Sequence, residues 1–568
     1  MNPLDFRNTN AVWSSVLVET LVRCGLRQAV ISPGSRSTPL TMALAAHSDV
    51  EALPVLDERS AAFFALGAAR RNRRAVLLVC TSGSAGAHYL PALIEARETG
   101  TPLIVITADR PPEMRECASG QTIDQQKLFG DHVAWYHEFA VPEVSLERLR
   151  YLRQTIRQAW SRAAIGPVHL NAPFRDPLPP LPEAGVGDLK PRIDDAFWFQ
   201  PDAPTTTRGL SIHQKLTTVR GLIVAGGAAA VDPEAYAATV LDLAEATGWP
   251  ILADALSPVR HHAPAGAPVI AAYDAILRQP EMARDLAPRY VLGLESWPTS
   301  KVLREWLGSC QAETLLVSPH PGSRDAIHGR TREVTAPVEA LTIDAGGARS
   351  LDYRNAWLDA EHQAQRNLAA WMEDCADLFE GKVAWLMGRT LPTGTAVCVA
   401  NSMPVRDAEY FWPTNQRRIN LFASRGANGI DGTLSTALGV AHRGAPTVLL
   451  TGDLALLHDA NGFLSAAQLA GSLTIVLINN AGGGIFEHLP VAKFEPPFER
   501  YFATPQSVDF GQLCGAHNVA HQIVDEWAIL ERELRTLPNE GVRVLEVRTD
   551  RKRDAATRKS LLRQLARR

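Results

Sequence analysis

Short apolar runs rich in β-branched residues recur along the chain, each followed by small or turn-forming residues and then by a stretch with helical periodicity. The runs begin near residues 28, 75, 103, 222, 290, 396, 447 and 474. Strands buried on both faces of a parallel sheet have this near-continuous apolar character. The pattern therefore predicts an α/β fold of doubly wound, mostly parallel sheets covered by helices on both faces.

Two interruptions of this pattern indicate how the chain is divided. Prolines accumulate between about residues 172 and 205, which favours an extended linker over a packed element. The periodicity lapses again over 341–355, before a long amphipathic stretch that starts at Trp357. We therefore expect three α/β domains, over residues 1–182, 205–345 and 355–568, each of ordinary domain size.

Composition narrows the function classes. The 57 Lys and Arg residues nearly balance 61 Asp and Glu residues, and the net charge of -4 offers no general attraction to nucleic acid or an anionic membrane. The seven cysteines are scattered without a C-x-x-C pair, which argues against a disulfide framework or a structural zinc site. No apolar run approaches the roughly 20 residues that span a bilayer. These features predict a soluble, cytoplasmic protein.

Polar residues end two consecutive apolar runs in the C-terminal third. Gly452-Asp453 ends the first, and Asn480 follows Asp453 by 27 residues at the end of the next. Carboxyl ends of neighbouring parallel strands meet at one sheet edge, where α/β proteins bind ligands. A carboxylate, an amide oxygen and a diphosphate would together supply the oxygen ligands that Mg²⁺ prefers. We expect Asp453, Asn480 and the backbone carbonyl of Gly482 to hold Mg²⁺, with Mn²⁺ as an alternative.

This G-D…N-N spacing resembles the metal–diphosphate motif of thiamine-diphosphate-dependent enzymes, although Leu454 replaces a glycine found in many members. In that family a glutamate of the first domain hydrogen-bonds the aminopyrimidine ring, so that the cofactor's own amine becomes the base. Glu58 matches this position, because it follows an apolar run and opens a helix with Ala62, Leu66 and Ala69 on its apolar face. Taken alone, Glu58 could simply favour a helix N-terminus.

The resemblance also implies roles for the domains and an assembly. Residues 1–182 would bind the pyrimidine ring, residues 205–345 would form a central domain, and residues 355–568 would bind the diphosphate and metal. In this family the glutamate-bearing domain of one chain meets the metal-bearing domain of another. The resemblance therefore implies a homodimer or homotetramer with active sites between chains.

A sharper resemblance, which extends over nearly the whole chain, is to the 2-succinyl-5-enolpyruvyl-6-hydroxy-3-cyclohexene-1-carboxylate synthase family of menaquinone and phylloquinone biosynthesis. It rests on 32-SPGSRSTPL, 57-DERSAAFFALG, 107-TADRPPE, 401-NSMPVRD, 424-SRGANGIDGTLSTALG and the segment 452–489. It implies a transferase that decarboxylates 2-oxoglutarate on thiamine diphosphate and adds the succinyl carbanion equivalent to isochorismate in a 1,4-addition.

Both substrates are dianions, so a negatively charged protein must concentrate cations at the site, and the planar fork of arginine suits carboxylates. Carried over by position, the resemblance implies substrate contacts from Ser35, Arg36, Arg110, Gln121, Lys301, Arg406, Arg425, Phe486 and Leu489. It implies cofactor contacts from Glu58, Ser402, Ile430, Asp453, Asn480 and Ile485, with Ile430 as an apolar wedge beneath the bent cofactor. An ordinary surface ion pair competes as the interpretation of each cation, most strongly for Lys301, where the motif is loose.

Three other functions stay open at this point. An acetolactate-synthase or 2-oxo-acid decarboxylase type would use a monoanion and need fewer arginines than this chain carries. A nicotinamide or flavin oxidoreductase lacks support, because no G-x-G-x-x-G follows an expected strand. A non-catalytic homologue is disfavoured because Glu58, Asp453 and Asn480 are present together.

Overall fold

The computed structural model describes residues 4–198, 211–212, 220–320, 322–343 and 351–566. Residues 199–205 of the expected linker and residues 344–350 of the expected second boundary lie outside the described residues. The chain forms two compact units. The first comprises Met1–Thr206, Ser424–Gly444 and His458–Leu469, and the second comprises Thr207–Ala423, Ala445–Leu457 and Ala470–Arg568. The three domain ranges stay a prediction.

The first unit contains a six-stranded parallel sheet with the order β2-β1-β3-β4-β6-β5. Its strands are β1 (Gln28–Ile31), β2 (Glu51–Pro54), β3 (Val76–Cys80), β4 (Leu103–Asp109), β5 (Trp135–Glu138) and β6 (Val168–Pro173). Its helices are α1 (Thr9–Cys24), α2 (Thr38–Ala46), α3 (Glu58–Asn72), α4 (Leu90–Thr99), α5 (Leu146–Ala163) and α6 (Asp195–Trp198). Side chains of α1 and α5, among them Val12, Leu17 and Leu149, pack into one core with β1, β3 and β4.

The middle of the chain, in the second unit, forms another six-stranded parallel sheet with the order β10-β9-β8-β11-β12-β13. Its strands are β8 (Gly221–Ala225), β9 (Ile251–Ala253), β10 (Val269–Ile270), β11 (Tyr290–Leu294), β12 (Glu313–Ser318) and β13 (Arg330–Thr335), and β7 (Ser211–Ile212) pairs separately with β14 (Thr342–Ile343). The accompanying helices are α7 (Pro233–Thr247), α8 (Val259–His262), α9 (Tyr273–Leu277), α10 (Pro280–Asp285) and α11 (Lys301–Cys310).

The third sheet also lies in the second unit and has the order β16-β15-β17-β18-β20-β19. Its strands are β15 (Ala396–Val399), β16 (Asn420–Phe422), β17 (Thr447–Gly452), β18 (Ser472–Asn479), β19 (Ala520–Val524) and β20 (Gly541–Arg548). The helices of this part of the chain are α12 (Asp352–Asp374), α13 (Glu380–Thr390), α14 (Met403–Phe411), α15 (Thr433–Ala441), α16 (Asp453–His458), α17 (Phe510–Ala516), α18 (Trp527–Arg535) and α19 (Arg551–Gln564). Of these, α15 belongs to the first unit.

Shorter helical turns connect several of these elements. They are 3₁₀-helices over Gly83–Tyr89, Pro112–Met114, Gly130–His132, Val186–Arg192, Val338–Ala340, Ala460–Gln468, Gly484–His488 and Pro490–Lys493, and a π-helix over Glu499–Ala503. None of the helices in the described part of the chain combines the length and the apolar character that crossing a bilayer requires.

The predicted α/β class is confirmed, and each of the eight apolar runs forms a strand of a parallel sheet. Two kinds of strand are among those that the pattern did not reveal. Edge strands such as β5 and β13 are half exposed, so no continuous apolar run marks them. The buried strands β6 and β20 are interrupted by buried polar residues. His169 and Asn171 of β6 both hydrogen-bond Thr107 at 2.8 Å, and Glu546 of β20 accepts a bond from Asn479 at 2.7 Å.

The first and third sheets share one winding order. In both, the strand order reverses between the first and third strands of the sheet, β1 and β3 in one and β15 and β17 in the other. In open α/β sheets such a switch point opens a crevice at the carboxyl ends of the strands, and ligands bind there. The loops that follow β1, β3, β15 and β17 are therefore where this fold places chemistry.

Candidate active site

At the first switch point, the loop after β1 rests directly on the turn after β3. A Cβ atom on Gly34 would lie 2.2 Å from Cβ of Thr81, so only glycine permits this approach. The backbone N–H of Arg36 donates to Thr81 Oγ1 at 3.2 Å. Ser35, one residue earlier, is exposed. The contact fixes the backbone that carries both predicted substrate residues.

The Arg36 side chain is buried rather than solvated. Its Nη1 donates to the carbonyl of Phe174 at 3.0 Å and lies 3.6 Å from a carboxylate oxygen of Asp176. Its Nε has no hydrogen-bond partner among the described residues. A buried guanidinium that keeps an unused donor suits an anionic ligand better than it suits a surface ion pair.

Gln121 and Arg110 gather around the same turn. Gln121 Nε2 donates to the carbonyl of Ser82, and Ser82 Oγ donates back to the carbonyl of Gln121, each at 3.0 Å. Arg110 donates through Nη2 and Nε to the carbonyl of Gly120, at 2.7 and 3.0 Å. The structure thus brings Ser35, Arg110 and Gln121 together with Arg36 at one edge of the first sheet.

Glu58 is the first residue of α3, as expected. The preceding Asp57 caps the helix by accepting the backbone N–H of Ser60 at 3.2 Å. The three residues expected on the buried face, Ala62, Leu66 and Ala69, are fully buried. Burial raises the pKa of the Cys80 thiol at the end of β3, and the charge of Glu58 raises it further. The Glu58 carboxylate therefore lies close enough to the carboxyl end of β3 for its charge to affect Cys80.

A buried ion pair holds the loop that carries Arg425. The carboxylate of Glu95 accepts the backbone N–H groups of Gly426 and Ala427, at 3.1 and 2.7 Å. Arg70, on α3, donates to the same carboxylate at 2.6 Å. The loop with Arg425 is thereby tied to the helix that begins with Glu58.

Helices α3 and α15 pack with their backbones in contact. A Cβ atom on Gly67 would lie 2.0 Å from the carbonyl oxygen of Thr436, and one on Gly439 would lie 2.0 Å from that of Phe64. Ile430, at the start of this segment, is half buried, and its carbonyl accepts from Thr433 Oγ1 at 2.7 Å. Within the first unit, the Glu58 helix and the Ile430 segment therefore form one block.

The predicted metal ligands lie at the carboxyl edge of the third sheet. Gly452 pairs with Ile478 across β17 and β18, so Asp453 and the asparagines leave the sheet side by side. Asp453 is buried, and its carboxylate accepts the N–H groups of Leu454 at 2.7 Å and Gly482 at 2.8 Å. Burial raises the pKa of Asp453 to about 6 against the effect of these bonds. A divalent cation bound beside this carboxylate would favour its charged form.

Only one end of the Asn480 side-chain amide has a hydrogen-bond partner among the described residues. Its Nδ2 donates to Glu380 Oε1 at 2.6 Å, whereas its buried Oδ1 has no hydrogen-bond partner among the described residues. A buried acceptor without a partner is destabilising, and native structures rarely leave one without a reason. A hard cation that binds oxygen would complete it.

Gly482 meets the conditions for a backbone ligand. Its φ of 135° and the 2.4 Å that would separate an added Cβ from the carbonyl oxygen of Ala503 both require glycine. Its own carbonyl accepts from Gly484 N–H at 2.9 Å, which leaves a second lone pair. No cluster of three or more His, Cys, Asp or Glu side chains positioned for a metal occurs among the described residues. The donors present fit an ion held by one carboxylate with neutral oxygens and a diphosphate.

Ser402 and Arg406 follow β15, at the switch point of the third sheet. Ser402 has φ 72°, a conformation that costs a non-glycine residue on the order of 1–3 kcal/mol and is typical of ligand sites. Its carbonyl accepts from Arg406 Nη1 at 2.6 Å, and burial lowers the pKa of that guanidinium.

The remaining predicted residues differ in their surroundings. Ile485 and Phe486 are half buried in the turn after Gly484, where the ring of Phe486 lies 5.8 Å from that of Phe502, and Leu489 is 48% exposed. Lys301, at the start of α11, lies 3.3 Å from Glu305 in an exposed ion pair. Lys301 is thus placed on the surface of the middle sheet's helices, and its substrate role stays a prediction.

Sequence reasoning missed the carboxylates that position these residues. Glu95 and Glu380 are both buried and bind motif residues, yet neither lies in a recognisable motif. The one available signal is a charged residue inside an otherwise apolar segment, 90-LPALIEA for Glu95, because charged residues are seldom fully buried unless they are paired.

Family models match three parts of the chain. The N-terminal binding domain of thiamine pyrophosphate enzymes matches residues 13–130, their middle domain matches 197–397, and their C-terminal binding domain matches 402–547. A 2-succinyl-5-enolpyruvyl-6-hydroxy-3-cyclohexene-1-carboxylate synthase of Synechococcus sp. (strain JA-3-3Ab) is 50% identical, over 99% of this chain and 97% of the relative. The synthase of Trichormus variabilis is 47% identical, over 99% of each.

The chain belongs to this synthase family. The binding-domain matches make it a thiamine-diphosphate-dependent enzyme, as the sequence predicted. Its fold is shared with benzoylformate decarboxylase of Polynucleobacter necessarius, at a TM-score of 0.64 and 15% identity over 95% of this chain and 98% of that one. A putative thiamin diphosphate-dependent enzyme of Mycobacterium smegmatis gives a TM-score of 0.63 at 18% identity, over 95% and 99%. At such identities the likeness concerns the fold alone.

Proposed function

We propose that the chain decarboxylates 2-oxoglutarate and adds the resulting succinyl group to isochorismate by 1,4-addition, in menaquinone or phylloquinone biosynthesis. The observation that carries this proposal is 50% identity to a curated synthase over 99% of the chain. Bound thiamine diphosphate supplies the nucleophilic carbon on which a 2-oxo acid loses carbon dioxide. The residues of the protein bind the cofactor and the substrates, orient them, and exchange protons with them.

We assign the cofactor contacts as follows. Asp453, Asn480 and the carbonyl of Gly482 would hold Mg²⁺, or Mn²⁺, against the diphosphate, since their oxygens are the donors these ions prefer. Glu58 would hold a proton at the aminopyrimidine ring, because a carboxyl group that is hydrogen-bonded to this ring makes the ring's amine a base. Ile430, Ser402 and Ile485 would supply the remaining cofactor contacts.

The substrate carboxylates require cations. Arg36, Arg110, Arg406 and Arg425 would pair with them, because guanidinium binds carboxylate through two parallel hydrogen bonds. Each of these arginines is at least partly buried, which strengthens its pull on an anion. The neutral or apolar residues Ser35, Gln121, Phe486 and Leu489, together with Lys301, complete the proposed substrate contacts.

The assembly and domain roles are proposals of the same kind. Residues 1–182 would bind the pyrimidine ring, residues 205–345 would form the central domain and residues 355–568 would bind diphosphate and metal. We propose a homodimer or homotetramer that works in the cytoplasm. Light scattering of the purified chain tests the assembly, and a monomer that is fully active would contradict it.

An assay with defined substrates tests the reaction. The assay combines purified protein with thiamine diphosphate, Mg²⁺, 2-oxoglutarate and isochorismate. Absorbance follows the loss of isochorismate, and mass spectrometry identifies the product. We expect loss of isochorismate only when 2-oxoglutarate and cofactor are both present. If the protein decarboxylated pyruvate but not 2-oxoglutarate, the cofactor assignment would stand and the substrate assignment would be wrong.

A further inference from the structure

We propose that Glu380 is a positioning residue that aims the amide oxygen of Asn480 at the metal. This inference rests on the proposed metal site, and none of the sequence motifs includes Glu380. An asparagine amide has a donor end and an acceptor end, and only the oxygen can bind a hard cation. Something must therefore decide which end faces the ion.

The contact between the two side chains makes that choice. Glu380 Oε1 lies 2.6 Å from Asn480 Nδ2. A carboxylate that is ion-paired with a guanidinium offers only acceptors, so it attracts the NH₂ end and repels the oxygen. Asn480 Oδ1 consequently points away from Glu380, and it is buried without a hydrogen-bond partner among the described residues.

Glu380 is itself held from several sides. Its Oε2 accepts from Arg558 Nη2 at 2.8 Å, and its backbone N–H donates to Asp554 at 3.0 Å. Thr549 Oγ1 lies 3.4 Å from the oxygen that binds Asn480. The Glu380 side chain is only 2% exposed, so it is shielded from bulk solvent. These contacts leave the carboxylate one orientation.

Arg558, on α19, extends this support to two other elements. It binds Asp407 of α14 through Nε at 2.7 Å and Nη2 at 2.9 Å. Its Nη1 lies 3.2 Å from Nε2 of His488, an imidazole that burial and nearby cations keep neutral by lowering its pKa to about 3. Arg558 thus has two carboxylate partners, Glu380 and Asp407, of which only Glu380 contacts Asn480.

That difference supplies a matched control. If the network serves stability alone, removing either carboxylate should affect the protein alike. If Glu380 orients Asn480, only its loss should weaken the metal site. Partners that orient metal ligands from outside typically contribute 10- to 100-fold in metal affinity, about the size of effect expected here.

The experiment measures the Mg²⁺ concentration at which thiamine diphosphate binding is half complete, followed by tryptophan fluorescence in the full-length protein. We expect Glu380→Ala to raise this midpoint by about 10- to 100-fold. Asp407→Asn should leave it close to the wild-type value. Glu380→Gln, which keeps an acceptor for Asn480, should give a smaller rise that still exceeds that of Asp407→Asn, and it carries the test if the alanine variant does not fold.

A second background tests whether Glu380 acts through Asn480. Because Asn480→Ala removes the amide that Glu380 orients, adding Glu380→Ala should raise the midpoint no further. An additive rise would overturn the proposal, as would equal rises from Glu380→Ala and Asp407→Asn. An unchanged midpoint in both Glu380 variants, with Mg²⁺-dependent wild-type binding, would overturn it while the metal site stands. Wild-type binding that ignores Mg²⁺ would overturn both.

Discussion

The carboxylate of Glu95 lies 2.6 Å from the guanidinium of Arg70, and the same carboxylate accepts two backbone N–H groups from the loop that carries Arg425. Arg70 belongs to the helix that begins with Glu58. The ion pair therefore connects the proposed activating carboxylate with a proposed substrate cation through the backbone.

Loosening this ion pair should impair substrate binding and stability together. We expect Glu95→Gln, which keeps the size of the side chain but not its charge, to lower thermal stability by about 1–3 kcal/mol and to raise KM for the substrates. Thermal denaturation and steady-state kinetics measure the two effects. Glu143→Gln, which removes the charge of a glutamate in an exposed ion pair with Arg148, is the control. An unchanged KM in Glu95→Gln would contradict the positioning of Arg425.

Glu58→Gln should separate cofactor binding from turnover. The amide keeps a hydrogen-bonding group near the aminopyrimidine ring but cannot exchange the proton, so we expect kcat to fall by about 10²- to 10⁴-fold. Thiamine diphosphate affinity, measured by fluorescence titration, should change little. Turnover at the wild-type rate would refute the role of Glu58.

Asp453→Ala should abolish the Mg²⁺ dependence of cofactor binding. Asp453 is the one carboxylate among the proposed ligands, and the other donors are neutral oxygens that bind a divalent ion weakly without it. Calorimetric titration of thiamine diphosphate with and without Mg²⁺ measures this. If the variant still binds the cofactor more tightly when Mg²⁺ is added, the metal assignment is wrong.

Lys301 can be tested without disturbing the fold. Its exposed pair with Glu305 contributes at most about 0.5 kcal/mol, so Lys301→Ala should leave thermal stability unchanged. As a substrate contact, Lys301 should raise KM by about tenfold on removal, the size of one hydrogen bond to a charged group. Glu305→Gln breaks the same pair and keeps the cation. Equal KM values for both variants would show that Lys301 does not contact a substrate.

The middle sheet contains a carboxyl group that should make stability depend on pH. Burial, with repulsion from Glu339, raises the pKa of Glu295 to about 8, above its ordinary value near 4.5. Between these two values the folded state keeps a proton that the unfolded state loses, so stability falls as pH rises from about 4.5 to 8.

Glu295→Gln should remove that loss. We expect the variant to be more stable than wild type at pH 9, by up to about 5 kcal/mol, and to differ little at pH 5. Thermal midpoints at the two pH values measure the difference. Glu313→Gln, an exposed residue of the neighbouring strand β12, should show no such dependence. A Glu295→Gln variant that gains nothing at pH 9 would contradict the raised pKa.

The sequence predicted the strands well where burial on both faces requires a continuous run of apolar residues. Central strands such as β3 and β18 contain continuous buried apolar runs because both faces of the sheet are covered. The edge strand β13, with four of its six residues exposed, contains no such run. The strand β6 was missed because its buried polar residues His169 and Asn171 interrupt the apolar run. Both hydrogen-bond Thr107 of β4, and such pairing is visible only in three dimensions.

The candidate site shows the same limit. Strand-end motifs gave Asp453 and Asn480, because their spacing encodes neighbouring positions in a parallel sheet. The supports came from far along the chain: Glu380 precedes Asn480 by 100 residues, and Glu95 precedes Gly426 by 331. No local pattern links such residues. Their pairing depends on how separate elements pack, and the sequence carries no periodicity that reports it.

The contact between α3 and α15 sets a limit for anyone engineering this enzyme. Exchanging helical glycines for alanine is a common route to heat resistance, since alanine restricts the unfolded chain. At Gly67 and Gly439 the added methyl group would strike a carbonyl oxygen of the opposite backbone, which has no rotamer to turn aside. A more heat-stable variant of the enzyme must therefore keep glycine at both positions and gain its stability from substitutions elsewhere.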